Sequence, residues 1–449
     1  MRRATGWALC GVAAGMTATA PVAADDYQIH FVANGTAGAT DNVFSAPNGS
    51  MTPRAADVQY TLTPGLVASY GTPRTTHELS ANVALNGFVD HSEAWGVQLS
   101  GDYRAAISLT PLTELALSAG LSRGTTASLS TSQPSNETMV GPTPSGEVTS
   151  VSMRADEALA HSLSPETSLR QSLGASYTVV SAGAAPDVGT VQLSAQGGFD
   201  HAFAHSAMGM DLGVTFLAFD RGESMGVSAE PDRRMDGRVG IRWRRDVSQR
   251  WSVGADGGLV AVIPIDGDAG FTPVPVIGGN LNYVPEWGNA TLQLGRSVSA
   301  NPFIAQETVG ESAALSVNLP LPWLNADRPS DTPEWTASGG LAVMRSRVIN
   351  ADSGELTNAT LNGLLDVGVA YVPREEMTFS FRFQHSRQKT LDGVEDMDGM
   401  ISLPSMSRNT LLMTFTYRYP GRIISQLPPR QILRVDQATP LTQREGVRR

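Results

Sequence analysis

The sequence predicts an all-β chain, a transmembrane antiparallel up-and-down β-barrel of about eighteen strands, and three observations predict it. First, apolar and polar residues alternate with period two, segment after segment, with no helical periodicity between them. In "MTFSFRFQH", Met377, Phe379, Phe381, Phe383 and His385 leave one face of a strand, while Thr378, Ser380, Arg382 and Gln384 leave the other. Second, the chain opens with the features of an export signal. Third, no apolar run after that signal reaches the roughly 18 residues that a spanning helix requires. A membrane-crossing form of this chain must therefore cross by strands.

The export signal is "MRRATGWALCGVAAGMTATAPVAA", residues 1–24, with two arginines, a short apolar core, and Val22 and Ala24 at the small-residue positions before Asp25. Trp7 stands where a lipoprotein signal carries Leu, which argues against lipidation at Cys10. Cys10 is the only cysteine, so the chain after the signal is expected to have no disulfide, thiol catalysis or cysteine-ligated metal. Residues 25–420 carry the barrel pattern without a linker or composition break. Residues 421–449 lack a strand pattern and are net basic, and they are expected to form a periplasmic tail.

Within the barrel, alternating segments centre in order near Ile29, Leu62, Leu79, Leu99, Leu117, Met153, Leu173, Leu193 and Val214, then Val239, Val253, Val276, Leu292, Leu315, Leu341, Val367, Phe381 and Phe415. Each is expected to span about ten residues. The connections alternate in length. "TPLTE", "SPETS", "AHSA", "RDVSQR", "VPEWGN" and "VPREE" are tight, whereas residues 124–147 and 386–407 are long and rich in Gly, Ser, Asp and Pro. Short periplasmic turns and long outer loops have this form. "LPLPWLNADRPSDTPE", residues 319–334, is longer than the rule predicts for its side. A propeller of similar repeat length would need four short strands per repeat, and only two segments fit.

Tyr and Trp gather beside the tight turns: Trp243, Trp251, Tyr283, Trp287, Tyr371, Tyr417 and Tyr419. Amphipathic rings at headgroup level would form a girdle there. Parity then assigns the lumen. In "RMDGRVGIRWRRD", Met235, Val239, Ile241 and Trp243 share one face, and Asp236, Arg238, Arg242 and Arg244 share the other. The same rule turns Arg104, Arg154, Arg170, Arg382, Arg418, Asp102, Asp156, Asp200, Asp211, Asp256 and Asp366 inward, because charge on the lipid face costs several kcal/mol near midplane. Of these inward groups, Arg104, Arg154, Arg170, Arg238, Arg242, Arg244, Arg382, Arg418, Asp102 and Asp366 are the ten candidate pathway residues. Arg238, Arg242 and Arg244 form a ladder that could contact a transported chain, with bracing against Asp256 and Asp211 as the alternative. Eighteen strands leave an aqueous bore unless something fills it, and an outer loop folded inward could narrow it.

No motif points to catalysis. "GESMG", residues 222–226, matches a nucleophile elbow only in spelling, since no helix follows Ser224. His201 and His205 are spaced for one helix face but fall at a strand end, and "DGVEDMDG", residues 392–399, does not follow a calcium-loop spacing. No cofactor or resident metal is expected. The net charge of −11 argues against nucleic acid as a partner, since phosphate binding needs a concentrated basic face.

The segments "ATDNVFSAP" and "YTLTPGLVASY", the turns "TPLTEL" and "VPREEM", and the closing "RNTLLMTFTYRYP" resemble outer-membrane β-barrel proteins encoded with bacterial exopolysaccharide export systems. The resemblance implies a non-enzymatic outer-membrane exit for a polysaccharide, contact with lipid and lipopolysaccharide, and a periplasmic export protein as partner. It supplies no catalytic residues. The runner-up is a general diffusion porin for small solutes, and the third class is a structural or adhesive barrel with a closed lumen. The tail beyond Tyr419 departs from barrels that end on an aromatic in the last strand.

Overall fold

The structure is a computed structural model that describes residues 26–43, 55–91, 95–125, 149–181, 187–221, 232–265, 271–301, 306–321, 324, 335–349, 356–374, 376–391 and 405–419. The expected signal, the basic tail, "GESMG" and "DGVEDMDG" lie outside the described residues, as does most of the long 319–334 connection. Eighteen strands follow in chain order: β1 Asp26–Thr40, β2 Asp57–Gly71, β3 Thr75–Phe88, β4 Gly96–Thr110, β5 Thr113–Thr125, β6 Thr149–Ser162, β7 Thr167–Ser181, β8 Val188–Ala202 and β9 Ser206–Arg221. The second half comprises β10 Asp232–Asp246, β11 Trp251–Pro264, β12 Thr272–Tyr283, β13 Asn289–Asn301, β14 Gln306–Pro320, β15 Trp335–Ile349, β16 Leu356–Arg374, β17 Met377–Thr390 and β18 Met406–Tyr419. Every expected centre falls inside its strand. The strands are longer than about ten residues because they continue past the apolar band, where alternation fades and sequence pattern no longer marks them.

Each strand pairs antiparallel with its chain neighbours, and β1 pairs with both β2 and β18, so the sheet closes on itself. Closure removes the free edges that an open sheet would present. The large apolar side chains stand on one parity and are exposed: Leu62, Leu85, Leu212, Ile241, Phe381 and Met413 are examples. That surface is the outside. A closed antiparallel sheet with such a band is a transmembrane barrel of the outer-membrane type.

Aromatic rings mark the rim that carries the tight turns. Trp251 stacks on Tyr283 with centroids 4.2 Å apart, and Trp335 stacks on Tyr371 at 4.4 Å. Tyr70, His77 and Tyr103 form a second ladder, tied by a 2.9 Å bond between His77 Nδ1 and the Tyr103 hydroxyl. His201 belongs to the same rim, where its Nδ1 lies 2.9 Å from Thr167 Oγ1 and its ring meets Phe203 edge-on. Along β15 the outward row rises from Trp335 through Leu341 and Val343 to Arg345, and along β17 it rises from Met377 through three phenylalanines to His385 and Arg387. The apolar band ends where charge begins, at a height of about 25 Å.

Among the described residues, one charge breaks the expected division of faces inside the apolar band. Glu157 on β6 lies opposite Leu117 and Leu173, within the outward apolar row. Nothing in the structure explains its place there.

Among the described residues the wall has one seam. β12 and β13 pair from Tyr283↔Ala290 up to Ile277↔Arg296, and among the described residues the ladder stops there. β12 itself continues upward, paired with β11 through Leu259↔Pro275, Ala261↔Pro273 and Val262↔Thr272. Backbone groups of alternate residues on an antiparallel strand face alternate neighbours. Pro273 and Pro275 share one parity, and the intact β11 ladder leaves the β13 side as theirs. Proline has no N–H, so the upper half of β12 offers no donor at those positions and acts as an edge.

Candidate functional site: the lumen and an inward-folded hairpin

Released from β12, the tops of β13 and β14 bend into the bore. Val309 of β14 and Ile349 of β15 pack with Val260, Val262, Val274 and Val276, and Val298 and Leu356 flank the cluster. The four wall valines lie on the inward faces of β11 and β12, while Val309 and Val298 lie on the row that faces outward lower in β14 and β13. The hairpin is therefore tucked behind the wall, its outer row against the wall's inner row. Further across, Ala300 of β13 packs against Val188, Leu217 and Phe219 of β8 and β9. Val309 and Phe219 are fully buried. Burial of such side chains contributes about 1.5–3 kcal/mol each, enough to hold the hairpin down.

A buried ion cluster fixes the same contact. Arg234 of β10 donates to Asp232 (Nε to Oδ1 3.1 Å, Nη2 to Oδ2 2.7 Å) and to Glu307 of β14 (Nη1 to Oε2 3.2 Å). Asp236 stands beside Glu307. Arg234 and Glu307 are 1 % and 0 % exposed. With neighbouring strands about 4.8 Å apart, β10 and β14 are too distant along the wall for this bond. It forms only through the lumen.

The wall nearer the tight turns is organised differently. Arg170, Asp200, Asp211 and Arg242, from four consecutive strands, close a ring of alternating charge. Arg170 Nε lies 2.6 Å from Asp200, Arg170 Nη2 2.9 Å from Asp211, Arg242 Nη2 2.8 Å from Asp200 and Arg242 Nε 2.6 Å from Asp211. Gly209 makes room for it, since a Cβ there would sit 2.3 Å from Asp200 Oδ1. Arg154 reaches Asp102 at 3.0 Å across β5, and Arg382 bonds Asp366.

All ten candidate pathway residues stand on the parity opposite the exposed apolar row, and they divide by partner. Arg170, Arg242, Asp102, Asp366 and Arg382 are tied into ion pairs, with Arg154 paired yet exposed. Arg104, Arg238 and Arg418 are exposed to the bore, and Arg244 is half-buried. The arginine ladder of β10 is thus broken in its middle, where Arg242 braces β7–β9 through Asp200 and Asp211. Sequence reasoning missed Arg234, Glu307 and Val309, because parity assigns a face but not a contact across the bore. The signal that could have pointed to them is "TPVPV", two prolines inside a strand, a pattern confined to edges.

No protein-family model matches the chain, and no curated protein matches it. Among solved structures it is similar to Pseudomonas aeruginosa OccK2 (OpdF), 10% identical over 88% of this chain and 98% of that one, TM-score 0.47. It is similar to a BenF-like porin from Pseudomonas fluorescens Pf-5, 11% identical over 88% and 99%, TM-score 0.47. It is also similar to the siderophore receptor PirA from Pseudomonas aeruginosa, 7% identical over 86% and 80%, TM-score 0.43.

Proposed function

We propose that this protein is an outer-membrane diffusion channel for small solutes, with its selectivity set by a constriction between the inward-folded β13–β14 hairpin and the opposite wall. The observation that carries this reading is the docking of the hairpin on β8–β12 through the Val309 cluster and the Arg234 to Glu307 bond. A barrel of this strand number leaves an aqueous bore, and a hairpin laid across part of it excludes large solutes while leaving room for small ones. Arg104, Arg238 and Arg418, exposed on the lumen wall, would favour anions in transit.

Polysaccharide export, with a periplasmic export protein supplying the polymer, is the second reading. The exposed lumen arginines favour it, since weak repeated guanidinium sites suit a moving chain. It requires the hairpin to leave the bore during transport. Planar-bilayer recording and liposome swelling separate the readings. The wild type is expected to conduct, to prefer anions and to pass monosaccharides but not long oligosaccharides. A variant with residues 299–308 replaced by an Asn-Gly turn is expected to conduct at least twofold more and to pass larger sugars. A wild-type protein that passes long oligosaccharides would favour export. A non-conducting wild type would overturn both.

A further inference from the structure

The bend that sends β13–β15 inward leaves a charged notch on the outer surface, at the level where the apolar band gives way to headgroups. Arg296 lies opposite Glu311 on the β13–β14 ladder, Glu311 lies opposite Arg345 on the β14–β15 ladder, and Arg347 stands one outward step above. Arg347 bonds Glu311, and Arg296 Nη1 is 3.8 Å from Glu311 Oε1. Arg345 is exposed and has no ion pair among the described residues. Three guanidinium groups thus face one carboxylate. On the other side of the notch, Ile277, opposite Arg296 on β12, is 65 % exposed and marks the edge of the apolar band.

Two uncompensated positive charges beside hydrocarbon call for an anion at the same height. A phosphate monoester carries about −1.5 to −2 charge near pH 7 and offers three acceptor oxygens, which matches that excess. Guanidinium groups hold phosphate through paired hydrogen bonds, and arginine suits such planar, two-pronged recognition better than lysine does. We propose that Arg296, Arg345 and Arg347 bind the phosphate of a phosphorylated glycolipid of the outer leaflet, with its acyl chains running down the band past Ile277. The proposal rests on the reading of the exterior as lipid-facing and of the long-loop rim as extracellular.

The test uses the full-length protein in detergent, titrated with diphosphoryl lipid A, with dephosphorylated lipid A and with inorganic phosphate, and read by native mass spectrometry. Wild type is expected to retain the diphosphoryl lipid, and the Arg296→Gln, Arg345→Gln, Arg347→Gln triple variant to bind it at least tenfold more weakly. Glu311→Gln removes the competing carboxylate and is expected to tighten binding, which keeps the proposal open to test if the triple variant does not fold. Arg123→Gln, Arg387→Gln, Lys389→Gln removes as many outward charges elsewhere on that rim and is expected to change affinity less than twofold. Equal binding of the dephosphorylated lipid, equal weakening by the control variant, no tightening in Glu311→Gln, or inorganic phosphate binding as well as the lipid would each overturn it. Conductance recorded on the same preparations judges the channel reading separately.

Discussion

β2 and β12 both carry proline inside a membrane-spanning strand, and only one of them opens the wall. On β2, Pro64 interrupts the ladder to β3 between Leu62↔Leu85 and Gly65↔Asn82, and pairing resumes on both sides. On β12, Pro273 and Pro275 occupy alternate positions near the strand's top, and pairing with β13 stops below them at Ile277↔Arg296. A lost donor between two intact stretches is bridged by its neighbours. Two lost donors at an end leave nothing above them to hold the partner strand. The difference shows that the position of a missing N–H within a ladder, more than its mere absence, decides whether a barrel wall stays closed.

The largest expected effect tests what holds the hairpin once it is free. Arg234→Leu removes the only cation bonded to Glu307 among the described residues and leaves that carboxyl buried beside Asp236. Breaking a buried pair from one side costs about 3–5 kcal/mol. The hairpin of this variant should undock, and single-channel recordings should show higher conductance with frequent transitions between levels. Steady conductance at the wild-type level would mean that the valine cluster holds the hairpin unaided.

A second variant restores what β12 lacks. Pro273→Thr with Pro275→Thr returns two N–H donors to the edge that faces β13, and each net backbone bond is worth about 0.5–1.5 kcal/mol. That gain competes with the hairpin's docked contacts without abolishing them. Conductance should rise, by less than in Arg234→Leu, and amide exchange in the upper half of β12 should slow. If neither quantity moves, docking alone directs the hairpin inward and the prolines are passengers.

Most of this architecture was legible in the sequence, for a physical reason. Alternation, tight turns and ring girdles are local, and a bilayer enforces them on every strand, so the eighteen centres from Ile29 to Phe415 could be placed without coordinates. Parity likewise sets Asp102, Arg170, Arg238 and Asp366 on the face opposite the exposed apolar row. What parity could not supply was partnership. Arg238 and Arg242 read alike in "RVGIRW", yet Arg242 is locked between Asp200 and Asp211 while Arg238 is exposed to the bore. The hairpin was hidden for a related reason. Val298, Val309 and Glu307 continue the outward row of their strands, and only the bend above Arg296 converts the upper part of that row into an interior surface.

The smallest effect belongs to the proline that leaves the wall intact, and it sharpens the comparison most. Pro64 is opposite Ala33 on β1, so the β1 side of β2 is fully paired there and the missing donor faces β3. Pro64→Thr should add one ladder bond at a site bracketed by intact pairs, worth about 0.5–1.5 kcal/mol against unfolding, offset in part by the greater freedom of the unfolded chain without proline. Because no strand is waiting to rejoin the wall at that point, conductance and sugar cut-off should stay at wild-type values while the heat-induced gel-mobility transition shifts upward slightly or not at all. A changed conductance in Pro64→Thr would show that donor loss acts on the bore from any position, and the account of the seam by ladder position would then fail.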